Sequence, residues 1–352
     1  MNESIETGKK NRMLVRAVAA AIAIGALING AIAVILRDSR PLEVLSRVSW
    51  TSFAVPFFCL ALLYLIDSLR YGIVFSAFGI SVPFRERLYN NVIGALFSNL
   101  TPFASGGQPF QLYHFHSIGI DSSLAANVVF TRTIAYMAGQ FLLGALLFNR
   151  ALRVGGQAFA SSVFIYLGLG TSFAMTALMT FVFLRPERVA RLAVKLDRGR
   201  FGRLVARVAK RQDWAESFVD WCKRLGASVR ELWARRPLVL LADMALNLAG
   251  IALAALALYW PARALSGRGV EYLDLLAVYV VASISTNFFP TPGASGSAEA
   301  GFSLLLASVV GSASEAFAAA AVWRFSTYYL HVFFGLAVYF LYSPQRIPAM
   351  RV

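Results

Sequence analysis

Ser98-Asn99-Leu100-Thr101-Pro102-Phe103-Ala104-Ser105-Gly106-Gly107-Gln108-Pro109 interrupts one apolar run, and Asn287-Phe288-Phe289-Pro290-Thr291-Pro292-Gly293-Ala294-Ser295-Gly296-Ser297-Ala298-Glu299 interrupts another. Both open Asn-x-x-Pro and continue into glycine and serine. Proline removes a backbone donor and closes a helix, and glycine accepts the turn that follows. Each stretch therefore reads as the tip of a hairpin between two short helices. The apolar flanks at 88–100 and 272–289 are short or polar-bordered, whereas a bilayer core of about 30 Å takes about 20 residues of helix. Each tip is followed by a long apolar span with one arginine near its start, 30 residues from Pro102 to Arg132 and 34 from Pro290 to Arg324. The local text also agrees, Arg132-Thr133-Ile134-Ala135-Tyr136 against Arg324-Phe325-Ser326-Thr327-Tyr328.

Around these hairpins lie six apolar runs of spanning length, 17–36, 50–66, 124–148, 159–184, 238–260 and 317–341, in a chain that is 58% hydrophobic and 14% charged. Soluble domains are about 45–50% apolar and about 25% charged. The expected fold is all-α and polytopic, about six full spans plus two re-entrant or broken-helix hairpins in an inverted repeat. The first run follows Lys9, Lys10, Arg12 and Arg16. It is longer than the roughly 7–15 residues of a secretory h-region, so a retained anchor is expected. Cys59 and Cys222 fall in a span and a loop, so no disulfide framework is expected.

The net charge of +15 would suggest nucleic acid in a soluble chain. With the N-terminus inside, the 33 basic residues divide into 24 inside, 7 outside and 2 within spans. This is the positive-inside pattern, and it removes the case for a nucleic-acid partner. It also places both termini in the cytoplasm and gives the two hairpins opposite entry sides, the plan of inverted-repeat transporters. Fifteen of the inside set lie in 185–236, which nets +9 and carries Trp214, Phe218, Trp221, Leu225 and Val229 at helical spacing. Two readings stand for this loop, a helix on an anionic leaflet and a solvated helix pair packing on itself.

Arg132 and Arg324 sit about eight residues, hence about 12 Å, into their spans. An unpaired cation there costs at least a few kcal/mol, so each should meet a carboxylate, a carbonyl or an anionic ligand. Glu299, just past the second tip, is the expected protein partner, with a purely structural Arg–Glu pair as the alternative. Guanidinium grips phosphate bidentately, and helix N-termini favour anions, so a phosphate site is the functional expectation. Asp67 and Arg70 read as a local pair, and Asp243 as facing the cytoplasmic entrance. His114 and His116 have no third ligand of fixed spacing, so no metal is expected, and no nucleotide or cofactor motif is present.

Pro292-Gly293 with Gly296 and Glu299, then Arg324 and Gly335, resembles the P-G-x-x-G-x-x-E signature of the lysylphosphatidylglycerol synthase transmembrane region family, also called flippase-like. Thr101-Pro102 with Gly106-Gly107-Gln108-Pro109 and Arg132 resembles its other motif, and the resemblance runs from about residue 16 to 341. In its best-known members this region precedes a cytoplasmic synthase domain and moves the product between leaflets. No such domain lies within 1–352, so a flippase without synthase chemistry is expected. Gln108 and Gln111 stand where acidic and basic residues are common, which leaves the head group open.

The resemblance implies a central cavity formed by Pro292, Gly293, Gly296, Glu299 and Arg324, with Gly106, Gly107 and Arg132 opposite. Asn99, Pro102, Gln108, Asn287 and Pro290 join them as candidate substrate-binding residues from the repeat itself. The expected organisation is a basic N-terminus at 1–16, a first membrane half at 17–184 with its hairpin at 88–113, and a basic linker at 185–236. A second half at 237–342 with its hairpin at 272–311 and a tail at 343–352 follow. The expected role is movement of an anionic phospholipid or polyprenyl-phosphate-linked lipid in a bacterial or archaeal cytoplasmic membrane. An intramembrane lipid-modifying enzyme, or a scaffold for envelope biosynthesis, is the alternative, and a separate synthase or envelope-biosynthesis protein is the conceivable partner.

Overall fold

The computed structural model describes residues 19, 23, 48–160, 162–197, 207, 213–288, 291, 293 and 297–342, with side chains left undescribed at 157–160, 164 and 297–300. The expected span at 17–36 falls almost wholly outside these residues, as do 1–16 and 343–352. The described chain is all-α: α1 (Thr51–Ser76), α2 (Phe84–Leu100), α3 (Gly107–Ser117), α4 (Ser122–Ala160), α5 (Val163–Leu184), α6 (Pro186–Asp197), α7 (Trp214–Arg235), α8 (Pro237–Leu265), α9 (Tyr272–Thr286), α10 (Ser297–Val310), α11 (Ala313–Arg324) and α12 (Leu330–Leu341). A π turn, Phe325–Tyr329, joins the last two into one rod.

Among the described residues, four helices are long and apolar enough to cross a membrane, α1, α4 as far as Gly156, α5 from Ile165, and α8. The exterior of α5 shows why water is the wrong solvent, since Val163, Leu167, Phe173, Leu178 and Phe181 all stand exposed. In hydrocarbon that surface matches its surroundings, and helices satisfy their own backbone polar groups there. The protein is a polytopic helical membrane protein. By contrast α2, α3, α9 and α10 have 17, 11, 15 and 14 residues, about 16–26 Å at 1.5 Å per residue. Each is shorter than the bilayer core, and they pair as α2 with α3 and α9 with α10.

Packing is reciprocal between the halves. The span after the first hairpin, α4, lies against α9 of the second, while α12, after the second hairpin, lies against α2 of the first. Among the described elements, the helices preceding each hairpin, α1 and α8, form the most extensive contact. At the core is α9, buried continuously from Leu275 to Thr286. Small residues let α5 approach it closely: a Cβ on Gly168 would lie 2.3 Å from the Ser285 carbonyl oxygen. Ser172 donates to the Ile284 carbonyl at 2.5 Å and Ser285 to that of Ile165 at 3.3 Å, the small-residue packing expected between membrane helices.

Three expectations shift. The span read as 50–66 continues to Ser76, because Asp67 and Arg70 neutralise each other inside it and apolar residues resume at Tyr71. The run at 159–184 begins as a helix only at Val163, its first residues finishing α4 beyond the kink at Gly156 (φ 55°). In the basic linker, α6 and α7 pack on each other and α7 docks on α4. Trp221 and Trp233 donate their indole N–H groups to Ser122 and Thr131 of α4, so the α7 residues Leu225 and Val229 are buried rather than offered to a leaflet. Asp121 starts α4 by accepting from the backbone N–H groups of Ser123 and Leu124. Burial raises its carboxyl pKa, but these bonds, that of the Ser123 hydroxyl and nearby Arg224 outweigh it and hold the pKa below the usual range.

Two glycines on α5 make a paired prediction. Gly168→Ala forces α5 off α9 and should cost about 1–3 kcal/mol. Gly170→Ala, where an added methyl meets nothing within 4 Å, should stabilise by about 0.5–1 kcal/mol through helix propensity. Thermal unfolding in detergent should move the two melting temperatures in opposite directions.

Candidate functional site

Between α1, α2, α4 and α8 lies a cavity of about 480 Å³, lined by Asp67, Arg70, Tyr71, Asn99, Gln108, Arg132, Tyr136, Asn247 and Asn287 among others. A smaller one of about 180 Å³ adjoins it, with Arg324, Trp323, Phe302 and Gly293 in its wall. Ser98, Asn99, Ala104, Tyr136 and Asn287 line both. The asparagines that open the two tips thus share one partition, with Arg132 on one side and Arg324 on the other.

The charges in the larger cavity form a chain. Arg70 gives Nε and Nη2 to the two oxygens of Asp243 at 2.9 and 3.1 Å and Nη1 to Asp67 Oδ1 at 3.0 Å. Arg132 gives Nη2 to the same Asp67 oxygen at 2.7 Å and lies over the Tyr71 ring at 3.6 Å. Asp243 is fully buried, whereas the Asp67 side chain is 38% exposed. The expectation that Asp243 faces the entrance is therefore corrected: burial of Arg70 demands a partner, and Asp243 supplies it. Arg70, counted from sequence as a cytoplasmic residue, is a third buried arginine. Among the described residues, the carboxylate that meets Arg132 is Asp67. Arg132 Nε is buried and has no hydrogen-bond partner, so this cavity-lining cation retains an unused donor.

Arg324 is built differently. Its Nη2 donates to the Gly293 carbonyl at 2.9 Å and its guanidinium lies 4.3 Å from the Tyr328 ring centre. Gly293 has φ 59°, and a Cβ there would sit 2.2 Å from that ring, so glycine is required on both counts. The Tyr328 hydroxyl donates to the Asn99 carbonyl at 3.3 Å, tying the second arginine to the first tip. The π turn begins one residue after Arg324, and such turns recur at functional sites. On the other tip's side, Asn287 donates to Gln140 at 2.6 Å, which donates to the Tyr136 hydroxyl at 2.8 Å.

At the first tip Pro102 opens a 3-10 turn in which Phe103 and Ala104 take φ of 56° and 52°, left-handed conformations unusual for residues with a Cβ. Gly106 and Gly107 serve close packing instead: a Cβ on Gly107 would meet the Ser98 hydroxyl at 2.0 Å and the Gly94 carbonyl at 2.9 Å. Pro102, Gly106 and Gly107 shape the tip, while Asn99 and Gln108 line the cavity. Pro290, Pro292 and Gly296 lie outside the described residues, and Glu299 is described only as part of α10. Below the cavity His114, set aside in the metal reading, bonds Glu86 at 3.1 Å and Asn90 at 3.0 Å, and Tyr342 closes on Glu86 at 2.5 Å. Neither Glu86 nor this cluster was visible from local spacing.

A polytopic helical protein whose two hairpin tips enclose a polar, arginine-bearing cavity is the class these observations define. Residues 17–335 match the lysylphosphatidylglycerol synthase TM region family, and the chain belongs to it. Its role is accordingly one related to membrane lipid. No curated protein and no solved structure gives a match.

The ion chain yields a stability prediction. Arg70→Met strands the buried Asp243 and should cost about 3–5 kcal/mol, whereas Arg70→Met with Asp243→Met should recover most of it. Equal melting temperatures for the single and double variants would show that the pair is not coupled.

Proposed function

We propose that the chain moves a phosphate-bearing lipid, an anionic phospholipid or a polyprenyl-phosphate-linked lipid, between the leaflets of a bacterial or archaeal cytoplasmic membrane. The observation that carries this reading is Arg132, a buried guanidinium on the cavity wall with Nε unpartnered and Nη2 on a half-exposed carboxylate. Nε and Nη2 form one edge of the guanidinium fork, the edge that grips a phosphate bidentately. A phosphate arriving there takes Nη2 from Asp67, which keeps its bond to Arg70. Asp67 is thus the displaceable counter-ion that neutralises Arg132 in the empty state. Arg324, beyond the shared partition, offers the next station, and the acyl chains stay in the surrounding lipid. The positive-inside count supports cytoplasmic termini, and the reciprocal packing supports two halves that rock about the partition.

Transport is preferred to lipid modification because a general base has to reach its proton unencumbered. Among the described side chains, Asp243 accepts from Nε and Nη2 of Arg70, and Asp67 is held by two arginines. We read the chain as a transporter and not an enzyme.

In vesicles containing fluorescent phosphatidylglycerol, Arg132→Ala with Arg324→Ala should reduce transbilayer movement to the protein-free rate. Movement at the wild-type rate would sink the phosphate site, and a chemically altered head group by mass spectrometry would favour the enzyme instead. Asp67→Asn removes the competing anion. It should tighten binding of a short-chain phosphatidylglycerol about tenfold, or about 1.4 kcal/mol, while slowing its release; weaker binding contradicts the counter-ion role.

A further inference from the structure

The junction of α5, α6 and α7 holds a second cleft, remote in sequence from both hairpin tips. It measures about 330 Å³ and is lined by Arg185, Arg188, Arg191 and Arg230, with Glu187 as its one carboxylate. That volume is at the lower end of the roughly 300–1,000 Å³ typical of small-ligand pockets. Glu187 is taken by Arg230 Nη1 at 2.7 Å, both side chains being two-thirds exposed. Arg185, Arg188 and Arg191 have no acidic partner among the described residues. Three like charges around one concavity repel one another unless an anion sits between them.

The height of the cleft says where such an anion comes from. Its wall starts at Leu184, the last residue of the apolar span that begins at Ile165. Phe181, Val182 and Leu184 are exposed on that final turn, so the arginines begin where the hydrocarbon ends, at the level of lipid head groups. Arg188 bends back over the Phe181 ring, 5.3 Å from its centre, the posture of a cationic side chain whose stem follows apolar surface and whose head reaches the interface. On the next turns α6 exposes Leu192 and Leu196 beside Lys195. Basic pockets beside membrane helices at this level suit anionic lipid head groups.

We propose that this cleft binds the phosphate of an anionic phospholipid from the adjoining leaflet, as a resident lipid distinct from whatever occupies the central cavity. Arg188 and Arg191, one turn apart on α6, grip the phosphate, with Arg185 and Arg230 at its rim. The lipid clamps α6 to the membrane surface, and through the α6–α7 contact it holds in place the helix that docks on α4, which carries Arg132.

Native mass spectrometry of the full chain, titrated with short-chain phosphatidylglycerol, tests this. Arg188→Gln with Arg191→Gln should weaken one saturable site at least tenfold. Lys223→Gln with Arg235→Gln removes the same charge from α7, where both side chains already have acidic partners, and should leave that site intact. Arg132→Ala should also leave it intact, which separates this site from the central cavity. Glu187→Gln, an exposed change that removes the competing carboxylate, should tighten it several-fold. Equal weakening by both double variants would reveal diffuse attraction and overturn the site. So would equal affinity for phosphatidylcholine, displacement of the lipid by equimolar inorganic phosphate, or weaker binding in Glu187→Gln.

Discussion

A guanidinium inside a membrane has to be paired, and Arg70 is paired twice. Its bond to fully buried Asp243 joins α1 to α8, the two helices that precede the hairpins and meet over the longest interface. Its other bond places Asp67 within reach of Arg132. Desolvating two arginines and Asp243 costs several kcal/mol per ion before any attraction is counted, and less for the partly exposed Asp67. That cost is met only if all four groups stay in register, so the pairing dictates how α1, α4 and α8 sit around the cavity.

The arrangement leaves the two repeat arginines unequal. Arg132 shares its counter-ion with Arg70 and keeps one donor unused, while Arg324 leans on a backbone carbonyl and a tyrosine ring four residues along its own rod. A lipid phosphate passing Asn99 and Asn287 would meet two cations held by different groups.

Much of this was legible in the sequence, for identifiable reasons. Proline and glycine mark the tips because they act on the backbone locally, and Arg132 and Arg324 stand out because any charge in an apolar run does. The Arg70–Asp243 bond was not legible: its ends are 173 residues apart, and Asp67 three residues from Arg70 offered a sufficient local explanation. The same local pair hid the true length of α1. The π turn after Arg324 leaves no compositional trace, since Phe325-Ser326-Thr327-Tyr328-Tyr329 is unremarkable helix text. In the basic linker, amphipathic spacing correctly indicated helices but does not say whether an apolar face meets lipid or, as in α7, another helix.

The reciprocal packing also has a consequence for biosynthesis. Tyr64 meets His331 and Glu86 meets Tyr342 across 267 and 256 residues, and α2 waits for α12. As the chain leaves the ribosome, the first hairpin has no permanent neighbour on that face until residues 330–341 have been made. Contacts so distant in sequence form late. The face of α2 turned to α12 is therefore among the last to be covered, and a chain interrupted before α12 would carry the cavity and its arginines with the first hairpin still open on that side.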